Sequence, residues 1–534
     1  MKVGLFLGYG PDVILGKEGL GRYLGKLIKN LLINGNKIII ACPKWSLKTL
    51  QALCQDFQLN IDEIDFVIAN RVPVIWNLYY HRNRKKIKVK KKWLKGIKVG
   101  IDIAIDILLS VTNFIAFVFL IVFGILAVIV SLPFLFVGII LYFLRGVFQC
   151  CREKGGFRIR NLVSKGVDLY EKMGESGIHL YSILYNRLLE KMQKQLVAKI
   201  NKQKGIVDVW YSPAAFWPVF NLIDGPKVIN VPDLVTEEFA TKWGNDREIL
   251  YSSRNCEKTI ENGVFFITYS KYIRDSLLIK KFGKKESDVF VIPHSVNDLS
   301  GYVTINNEVV CKNGLTDIFT AQYCKNILEA SKGYVHGVDD YIIGYHFDDV
   351  KYIFYPSQAR PHKNLLNLIK AYEVLLRKKY VRMKLFLTCD LSTLPEIKEY
   401  IISHRLQYDI LSFYNVGTKE LAALYHQAEL VVNPTLYEGG FPFTFGEGMS
   451  VGTPSVMGAI PQVLEMSTGF DLDDIFFEPY NVIDIVNKIE YGINNKEILF
   501  EKENRLYQWM LQEYSMEKVG ALYVQAFSYA IEKK

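Results

Sequence analysis

Apolar residues recur along this chain in two spacings, one typical of buried strands and the other of amphipathic helices. Lys2 to Leu7 is almost continuously apolar, as expected for a strand that is buried on both faces of a parallel sheet. A glycine-rich segment, a helical pattern through Asn34 and a second strand from Lys37 to Ala41 follow. This order of strand, loop, helix and strand predicts a parallel α/β domain at the start of the chain.

The alternation of strands and helices continues after a long interruption. We predict further strands of the first domain at Val207–Trp210 and Lys227–Val231, and a second series of strands and helices from Tyr352 to about Leu499. Because 534 residues exceed what one hydrophobic core usually holds, we expect two α/β domains. The predicted divisions are a first domain at 1–80 and 205–297, an insert at 81–204, a connection at 298–350, a second domain at 351–510 and a terminal helix at 511–534.

The insert has the most unusual composition in the chain. No charged residue interrupts Ile107 to Leu144, whereas ten Lys or Arg and no acidic residue lie between Arg82 and Lys98. These ten positive charges equal the net charge of +10, so the rest of the chain is close to neutral. A basic run beside an apolar run indicates contact with anionic membrane lipid and not with nucleic acid.

Both ends of the insert must lie on one side of a membrane, because the first domain continues after it. Basic residues flank the apolar run on both sides, which predicts that both ends are cytoplasmic and that the membrane is the inner one. We therefore expect a helical membrane hairpin at about 100–147. The run is short for two spans of about 20 residues each, so a re-entrant hairpin is an alternative. An amphipathic pattern from Leu162 to Lys204 fits either the membrane surface or the first domain.

Cysteine and acidic residues do not form a recognisable metal site. The eight cysteines include no CxxC pair and no histidine at a spacing suited to zinc, and we expect a reduced, cytosol-facing protein. The acidic clusters Asp339-Asp340, Asp348-Asp349 and Asp471–Asp474 occur in polar stretches that read as solvated turns. We predict no bound metal.

The clearest chemistry lies between Asn433 and Val456. Glu438 and Glu447 stand on either side of a Gly-Gly-Phe-Pro loop. Backbone N–H groups at the start of a helix suit a diphosphate, and carboxylates accept hydrogen bonds from the hydroxyls of ribose or a hexose. This combination predicts a sugar-nucleotide site.

This block resembles the C-terminal signature of the retaining glycosyltransferases of family 4 (group 1). The resemblance covers most of 1–80 and 205–534 and implies the GT-B fold, in which two Rossmann-like domains face each other across a cleft. The family has seven residues between its two glutamates, whereas this chain has eight. The extra residue falls in the Gly439-Gly440 pair, which we expect to form a bulge because glycine tolerates positive φ.

The resemblance also implies roles for two cations and both glutamates. Arg360 and Lys363 lie where the family binds the donor diphosphate, and paired cations stabilise the charge that a leaving nucleoside diphosphate gains. Glu447, predicted at the start of a helix, would accept hydrogen bonds from ribose hydroxyls. Glu438 would face the hydroxyls of the donor sugar.

Asp233 matches an acidic residue of the family's acceptor domain, but Pro232 stands where the family has a histidine. Asp233 would orient an acceptor hydroxyl; the alternative is that it caps the helix that follows. The family's nucleobase turn falls at the predicted strand end Val416–Thr418. The other residues that the resemblance assigns to donor binding are Gly19, Gly21 and Arg22 in the first loop, Gly417 and Thr418 at the nucleobase, and Gly440, Phe441, Pro442 and Phe443 under the pyrophosphate.

These inferences predict a retaining hexosyltransferase that needs no metal or other cofactor. Its donor would be a nucleoside diphosphate sugar, and its acceptor a lipid-linked or growing glycan at the cytoplasmic face of the membrane. Two alternatives remain from the sequence: a sugar-nucleotide epimerase of the same fold, and a non-catalytic membrane scaffold of a polysaccharide assembly complex.

Overall fold

The computed structural model of this chain describes residues 1–17, 19–69, 107, 111–124, 185–239, 247–304, 315–335 and 339–533. Two parallel β-sheets organise these residues, one in each half of the chain, which confirms the predicted α/β class. The first sheet contains β1 (Lys2–Phe6), β2 (Lys37–Pro43), β3 (Ile64–Ala69), β4 (Val209–Ser212), β5 (Lys227–Asn230), β6 (Phe265–Thr268) and β7 (Val289–Val291). The second contains β8 (Lys351–Tyr355), β9 (Met383–Leu387), β10 (Ile410–Ser412), β11 (Leu430–Asn433), β12 (Ser455–Gly458) and β13 (Phe476–Phe477).

Both sheets change strand order near their centres. The first has the order β3-β2-β1-β4-β5-β6-β7 and the second the order β10-β9-β8-β11-β12-β13. Each strand pairs with its neighbours in parallel. In open sheets of this kind, ligands bind outside the carboxyl ends of the strands where the order reverses. The fold therefore places candidate sites after β1 and β4 in one domain and after β8 and β11 in the other.

Helices cover both faces of the first sheet. Alternate strand residues point to opposite faces, so Leu5 and Tyr211 pack with the helices at Gly19–Ile33, Leu47–Asp56 and Met516–Glu532, while Phe6 and Trp210 pack on the other side. The helices of this half are α1 (Gly19–Ile33), α2 (Leu47–Asp56), α3 (Val235–Glu238), α4 (Arg247–Asn262), a π-helix at Ile273–Ile279, and α14 (Met516–Glu532).

The amphipathic pattern at the end of the insert packs on the first domain wherever it is described. Residues 185–202 are helical, and Leu188, Met192 and Leu196 are fully buried in the core beside the first sheet. Gln193 donates from Nε2 to the carbonyl of Gly8 over 2.9 Å. The sequence alone allowed this helix to lie on the membrane surface or on the first domain. For residues 185–202 the packing shows that it lies on the first domain. Residues 162–184 lie outside the described residues.

Most of the predicted membrane insert also lies outside the described residues. The basic run at 82–98 does so entirely, and the hairpin at about 100–147 does so except for 107 and 111–124. Across the described ranges, no helix combines the length and apolar character that a membrane crossing requires. Residues 114–124 are helical, and most of their apolar side chains are exposed.

The second domain includes more of the chain than its strand pattern predicts. Leu299, Val303, Leu328 and Phe347 belong to the stretch predicted as a connection, yet they are buried against one face of the second sheet. The helices of this half are α5 (Leu315–Ala330), α6 (Asp339–Gly344), α7 (Leu365–Lys378), α8 (Pro395–Ser403), α9 (Thr418–Gln427), α10 (Phe443–Ser450), α11 (Pro461–Ser467), α12 (Val482–Asn494) and α13 (Lys496–Glu513).

Two local predictions in the second domain are wrong. The strand predicted to end at Val416–Thr418 ends at Ser412 instead, because Asn415 has a φ of 65° and turns the chain out of the sheet. Glu447 is the fifth residue of α10 and does not lie at its start, because the helix already begins at Phe443.

Candidate active site

The predicted donor loop lies where the two domains meet. The Gly439 carbonyl accepts a hydrogen bond of 2.9 Å from Ser270 Oγ, and a Cβ atom on Gly439 would clash with the Pro232 carbonyl. A Cβ atom on Gly440 would lie 2.9 Å from Tyr269 Cβ. Neither glycine has a positive φ, so the predicted reason for the pair is wrong. The glycines are instead needed because the loop presses against the carboxyl ends of β5 and β6.

Lys363 and Glu438 form an ion pair beside this loop. Lys363 ends a short 3₁₀ turn after β8, and its Nζ contacts Glu438 Oε1. The two side chains are 18% and 20% exposed, so the pair is only partly reached by water. Arg360 precedes the turn and is exposed. The structure therefore brings the two predicted cations and the first predicted glutamate to one place.

Asp233 faces this cluster from the first domain. Burial raises the pKa of its carboxyl group, the positive charge of Arg360 opposes that shift, Glu438 adds to it, and Lys363 again opposes it. The nearby backbone N–H of Val235, the first residue of α3, also lowers this pKa, whereas Leu234 occupies the N-cap and no side chain caps the helix. Asp233 thus belongs electrostatically to the cation cluster.

Glu447 has a different environment. It is buried, with 7% of its surface exposed, and both of its carboxylate oxygens accept hydrogen bonds from neutral donors. Asn297 Nδ2 donates to Oε1 over 2.5 Å, and the Tyr425 hydroxyl donates to Oε2 over 2.7 Å. Tyr425 is in α9, whereas Asn297 follows β7 of the first domain. Glu447 is therefore held from both sides of the domain boundary.

The start of α10 lies between these two glutamates. Pro442 occupies its N-cap, and no side chain caps the N–H groups there. An uncapped helix start of this kind attracts phosphate groups. Phe441 is buried, and Phe443 is the first residue of the helix.

His294 is a member of this site that the sequence reasoning missed. Its ring stacks on Phe443 at 3.9 Å between centroids, and Nε2 lies 2.7 Å from the carbonyl oxygen of Phe441. Burial lowers the pKa of His294 to about 4, so the ring is neutral at pH 7. Nδ1 also lies 3.4 Å from the carbonyl oxygen of Ser295, and the shorter contact of Nε2 favours the tautomer that donates to Phe441.

The remaining predicted residues lie in two other loops. Gly19 is the first residue of α1, Arg22 lies in the first turn of that helix, and a Cβ atom on Gly21 would clash with the Leu15 carbonyl. Gly21 is therefore required by close packing of the loop on the helix. Gly417 is the N-cap of α9 and Thr418 its first residue.

Two further side chains from the second domain bind to the first. Glu465 accepts hydrogen bonds from the backbone N–H groups of Lys271 and Tyr272 over 2.9 and 3.0 Å, at the start of the π-helix. The Tyr437 hydroxyl accepts from Leu234 N–H over 3.4 Å. Residues separated by about 200 positions give no local sequence signal, which is why neither contact could be predicted.

His362 lies between the two cations and has no predicted role. It is buried, and its Nδ1 has no hydrogen-bond partner. Burial lowers its pKa to about 3, and the charges of Lys363 and Arg360 act in the same direction. Within the described ranges, no group of three His, Cys, Asp or Glu residues is placed to hold a metal ion.

Comparison with known families identifies the second domain. Residues 344–508 match the family model described as glycosyl transferases group 1. The match is to this part of the chain alone, and the matched residues include both cations and both glutamates of the site. The search of curated proteins finds no match to the chain.

Comparison with solved structures shows that the described domains have a GT-B-like fold. Sucrose-phosphate synthase from Thermosynechococcus elongatus superposes with a TM-score of 0.57 at 10% identity, over 100% of both chains. HepE from Anabaena, solved with UDP and glucose, gives 0.55 at 10% identity, over 99% of this chain and 100% of its own. A glycosyltransferase from Rickettsia africae gives 0.51 at 13% identity, over 100% and 99%. At these identities the likeness establishes the fold alone.

Proposed function

We propose that this protein is a retaining, metal-independent hexosyltransferase that transfers a sugar from a nucleoside diphosphate to a lipid-linked or growing glycan acceptor. The observation that carries this proposal is the cluster of Arg360, Lys363, Glu438 and Asp233 at the domain boundary, beside the uncapped start of α10. Cations, uncapped N–H groups and carboxylates are the three kinds of group that a sugar nucleotide requires.

Each group of the cluster has a place in the reaction. The start of α10 and the two cations would bind the diphosphate, and the cations would stabilise the negative charge that develops as the glycosidic bond breaks. Glu447 would accept from the ribose hydroxyls and Glu438 from the hexose. With retention, the acceptor would attack the sugar from the face on which the diphosphate departs. A phosphate oxygen would take the proton of the acceptor hydroxyl, and Asp233 would orient that hydroxyl.

The Lys363–Glu438 ion pair gives this scheme a specific feature. Lys363 contacts Glu438, so an arriving diphosphate would compete with Glu438 for the ammonium group. Glu438 is then released to accept hydrogen bonds from the hexose. Donor binding would thus exchange the Lys363–Glu438 ion pair for a Lys363–diphosphate pair, and the hexose hydroxyls would donate hydrogen bonds to the released carboxylate.

The membrane part of the proposal rests on the insert. Residues 114–124 form a helix whose Phe114, Ile115, Phe119 and Phe123 are 60–74% exposed, which is costly in water and favourable in lipid. The basic run at 82–98 would bind anionic headgroups, and the helix at 185–202 returns the chain to the first domain. The acceptor side of the cleft would then lie near the cytoplasmic face of the inner membrane.

The test is donor turnover by detergent-solubilised protein in the presence of a total lipid extract. Release of nucleoside diphosphate is measured for a panel of sugar nucleotides that begins with UDP sugars, because HepE is solved with UDP. We expect release from one donor that depends on lipid, accompanied by a sugar-modified lipid, and no release by Glu447→Ala. Release of an altered free sugar without lipid dependence would indicate an epimerase. No release by folded protein from any donor would favour the scaffold.

A further inference from the structure

One segment of the first domain reaches deep into the predicted donor site. The crossing segment, residues 294–299, follows β7 and runs along α10 of the second domain. Besides the contacts of His294 and Asn297, Leu299 N–H donates to Ser450 Oγ over 3.0 Å. A Cβ atom on Gly446 would lie 2.6 Å from Val296 Cγ1. The crossing segment, which joins the two domains, therefore contacts α10 at both of its ends.

The side-chain amide of Asn297 has only one orientation that satisfies its neighbours. Lys26 Nζ lies 2.5 Å from Asn297 Oδ1 and 3.3 Å from the Val296 carbonyl. An ammonium group can only donate, so the oxygen of the amide must face Lys26. The NH₂ group then faces Glu447, whose carboxylate can only accept when it is ionised. Lys26 thus fixes Asn297, and Asn297 fixes Glu447.

Lys26 connects this contact to the first loop of the chain. It lies in α1, about 10 Å along the helix axis from Gly19, at which α1 begins. The glycine loop that the resemblance assigns to the donor phosphates is therefore joined to Glu447 by a rigid helix and two hydrogen bonds. Hydrogen bonds in such a chain polarise one another, and the positive charge of Lys26 strengthens donation by the Asn297 amide.

We propose that Lys26 and Asn297 are positioning residues for donor binding, which hold the Glu447 carboxylate in the orientation that receives the ribose. This inference rests on the proposed function, in which Glu447 binds the nucleotide. A carboxylate has about four lone-pair sites, and Asn297 and Tyr425 occupy one on each oxygen. The remaining two lie in the same plane and can accept two vicinal hydroxyls only while that plane is fixed.

The competing explanation is that Lys26 and Asn297 only join the two domains. The variant Asn297→Asp distinguishes the two explanations, because aspartate keeps the size of asparagine and an oxygen for Lys26. It replaces the NH₂ donor by an oxygen that repels Glu447. If Asn297 only joins the domains, Asn297→Asp would lower stability and leave the nucleotide affinity of the folded protein unchanged, whereas a positioning role predicts weaker nucleotide binding. Lys26→Met removes the charge at similar length and tests the other end of the contact.

The measurement is the affinity of the full-length protein for UDP, GDP and ADP by titration calorimetry, followed by donor KM and kcat. For the nucleotide that wild type binds, we expect Asn297→Asp and Lys26→Met to raise Kd and donor KM about tenfold or more. At saturating donor, kcat should fall less than threefold. The double variant should be at most about twofold weaker than Asn297→Asp, because both changes break one chain of bonds. Lys29→Met, one turn further along α1, is the matched control and should bind like wild type.

Two results would overturn the inference in distinguishable ways. If Glu447→Ala loses nucleotide binding while Asn297→Asp and Lys26→Met keep wild-type Kd within twofold, the positioning role is wrong and the proposed function stands. If folded wild type binds none of the three nucleotides and turns over no donor, the proposed function fails and the inference fails with it.

Discussion

Glu438 and Glu447 lie nine positions apart in one loop and helix, yet the protein holds them in opposite ways. Glu438 is partly exposed and meets a cation, Lys363, whereas Glu447 is buried and meets two neutral donors, Asn297 and Tyr425. An ion pair can exchange its partner when a competing anion arrives. Neutral donors leave a carboxylate its full charge and fix its orientation. The difference indicates that Glu438 exchanges its partner when the donor binds, whereas Glu447 keeps the same partners and orientation.

The contrast between Glu438 and Glu447 depends most strongly on Lys363, the cation that pairs with Glu438. Lys363→Ala removes a cation that would stabilise the leaving diphosphate and also leaves Glu438 without its partner. We expect kcat to fall about 10²- to 10³-fold, as when one group that stabilises a developing negative charge is removed. The control is Lys370→Ala, in the helix that follows. A fall of less than tenfold in transfer would show that Lys363 does not bind the diphosphate.

Variants of the two glutamates should affect nucleotide binding and sugar binding separately. Glu447→Ala is expected to raise the Kd of the nucleoside diphosphate roughly 10- to 100-fold, because hydrogen bonds to a charged group are lost. Glu438→Gln should not raise that Kd, because a neutral amide competes less with the diphosphate for Lys363, and it should lower kcat instead. Calorimetry with the nucleoside diphosphate and steady-state kinetics with the full donor measure the two effects. Equal effects of both variants on the nucleotide alone would contradict the division of roles.

The histidines at the boundary should make stability depend on pH. Burial lowers the pKa to about 4 for His294 and to about 3 for His362, below the usual value of 6.5. The unfolded chain therefore binds more protons between pH 4 and 6.5, so the free energy of unfolding falls as pH drops through this window. Each histidine should contribute a loss of about 2 kcal/mol between pH 7 and pH 5. Urea unfolding of wild type and His362→Phe at both pH values tests this, and an equal loss in both proteins would refute it for His362.

The smallest expected effect concerns the close approach of the domains. Gly439→Ala places a Cβ atom against the Pro232 carbonyl, and a backbone oxygen cannot rotate away as a side chain can. We expect the free energy of unfolding to fall by about 1 kcal/mol and transfer to decrease, because the donor loop moves away from Asp233. Gly333→Ala is the control, since no atom lies within 4 Å of the Cβ position there. Equal stability of the two variants would show that the loop can move without cost.

The sequence predicted the second domain better than the boundary between the domains. Strands such as β8 and β11 are short apolar runs next to helical patterns, so their positions follow from local periodicity. Arg360, Lys363 and both glutamates belong to local motifs that the sequence displays, and their roles in the site stay predictions. Local periodicity predicted the end of β10 wrongly, because the positive φ of Asn415 turns the chain out of the sheet.

What the sequence did not predict are contacts between distant parts of the chain. His294 and Asn297 reach Phe441 and Glu447 across about 150 positions, and Lys26 reaches Asn297 across 271. Such contacts depend on how the domains are oriented, which no periodicity encodes. The glycine pair shows the same limit, since its need for small residues comes from Pro232 and Tyr269 on the other domain.

The last helix of the chain has a consequence for how the cleft can open. Tyr523 in α14 lies inside the core of the first domain, where its hydroxyl and that of Tyr23 are 2.5 Å apart, whereas α13 belongs to the second domain. The backbone thus passes between the domains twice, once after β7 and once between α13 and α14. Two covalent crossings remove most ways in which one body can turn relative to another. We therefore expect any opening of the cleft to be a swing about the line that joins residues near 297 and 514, with substrates entering from the side farthest from that line.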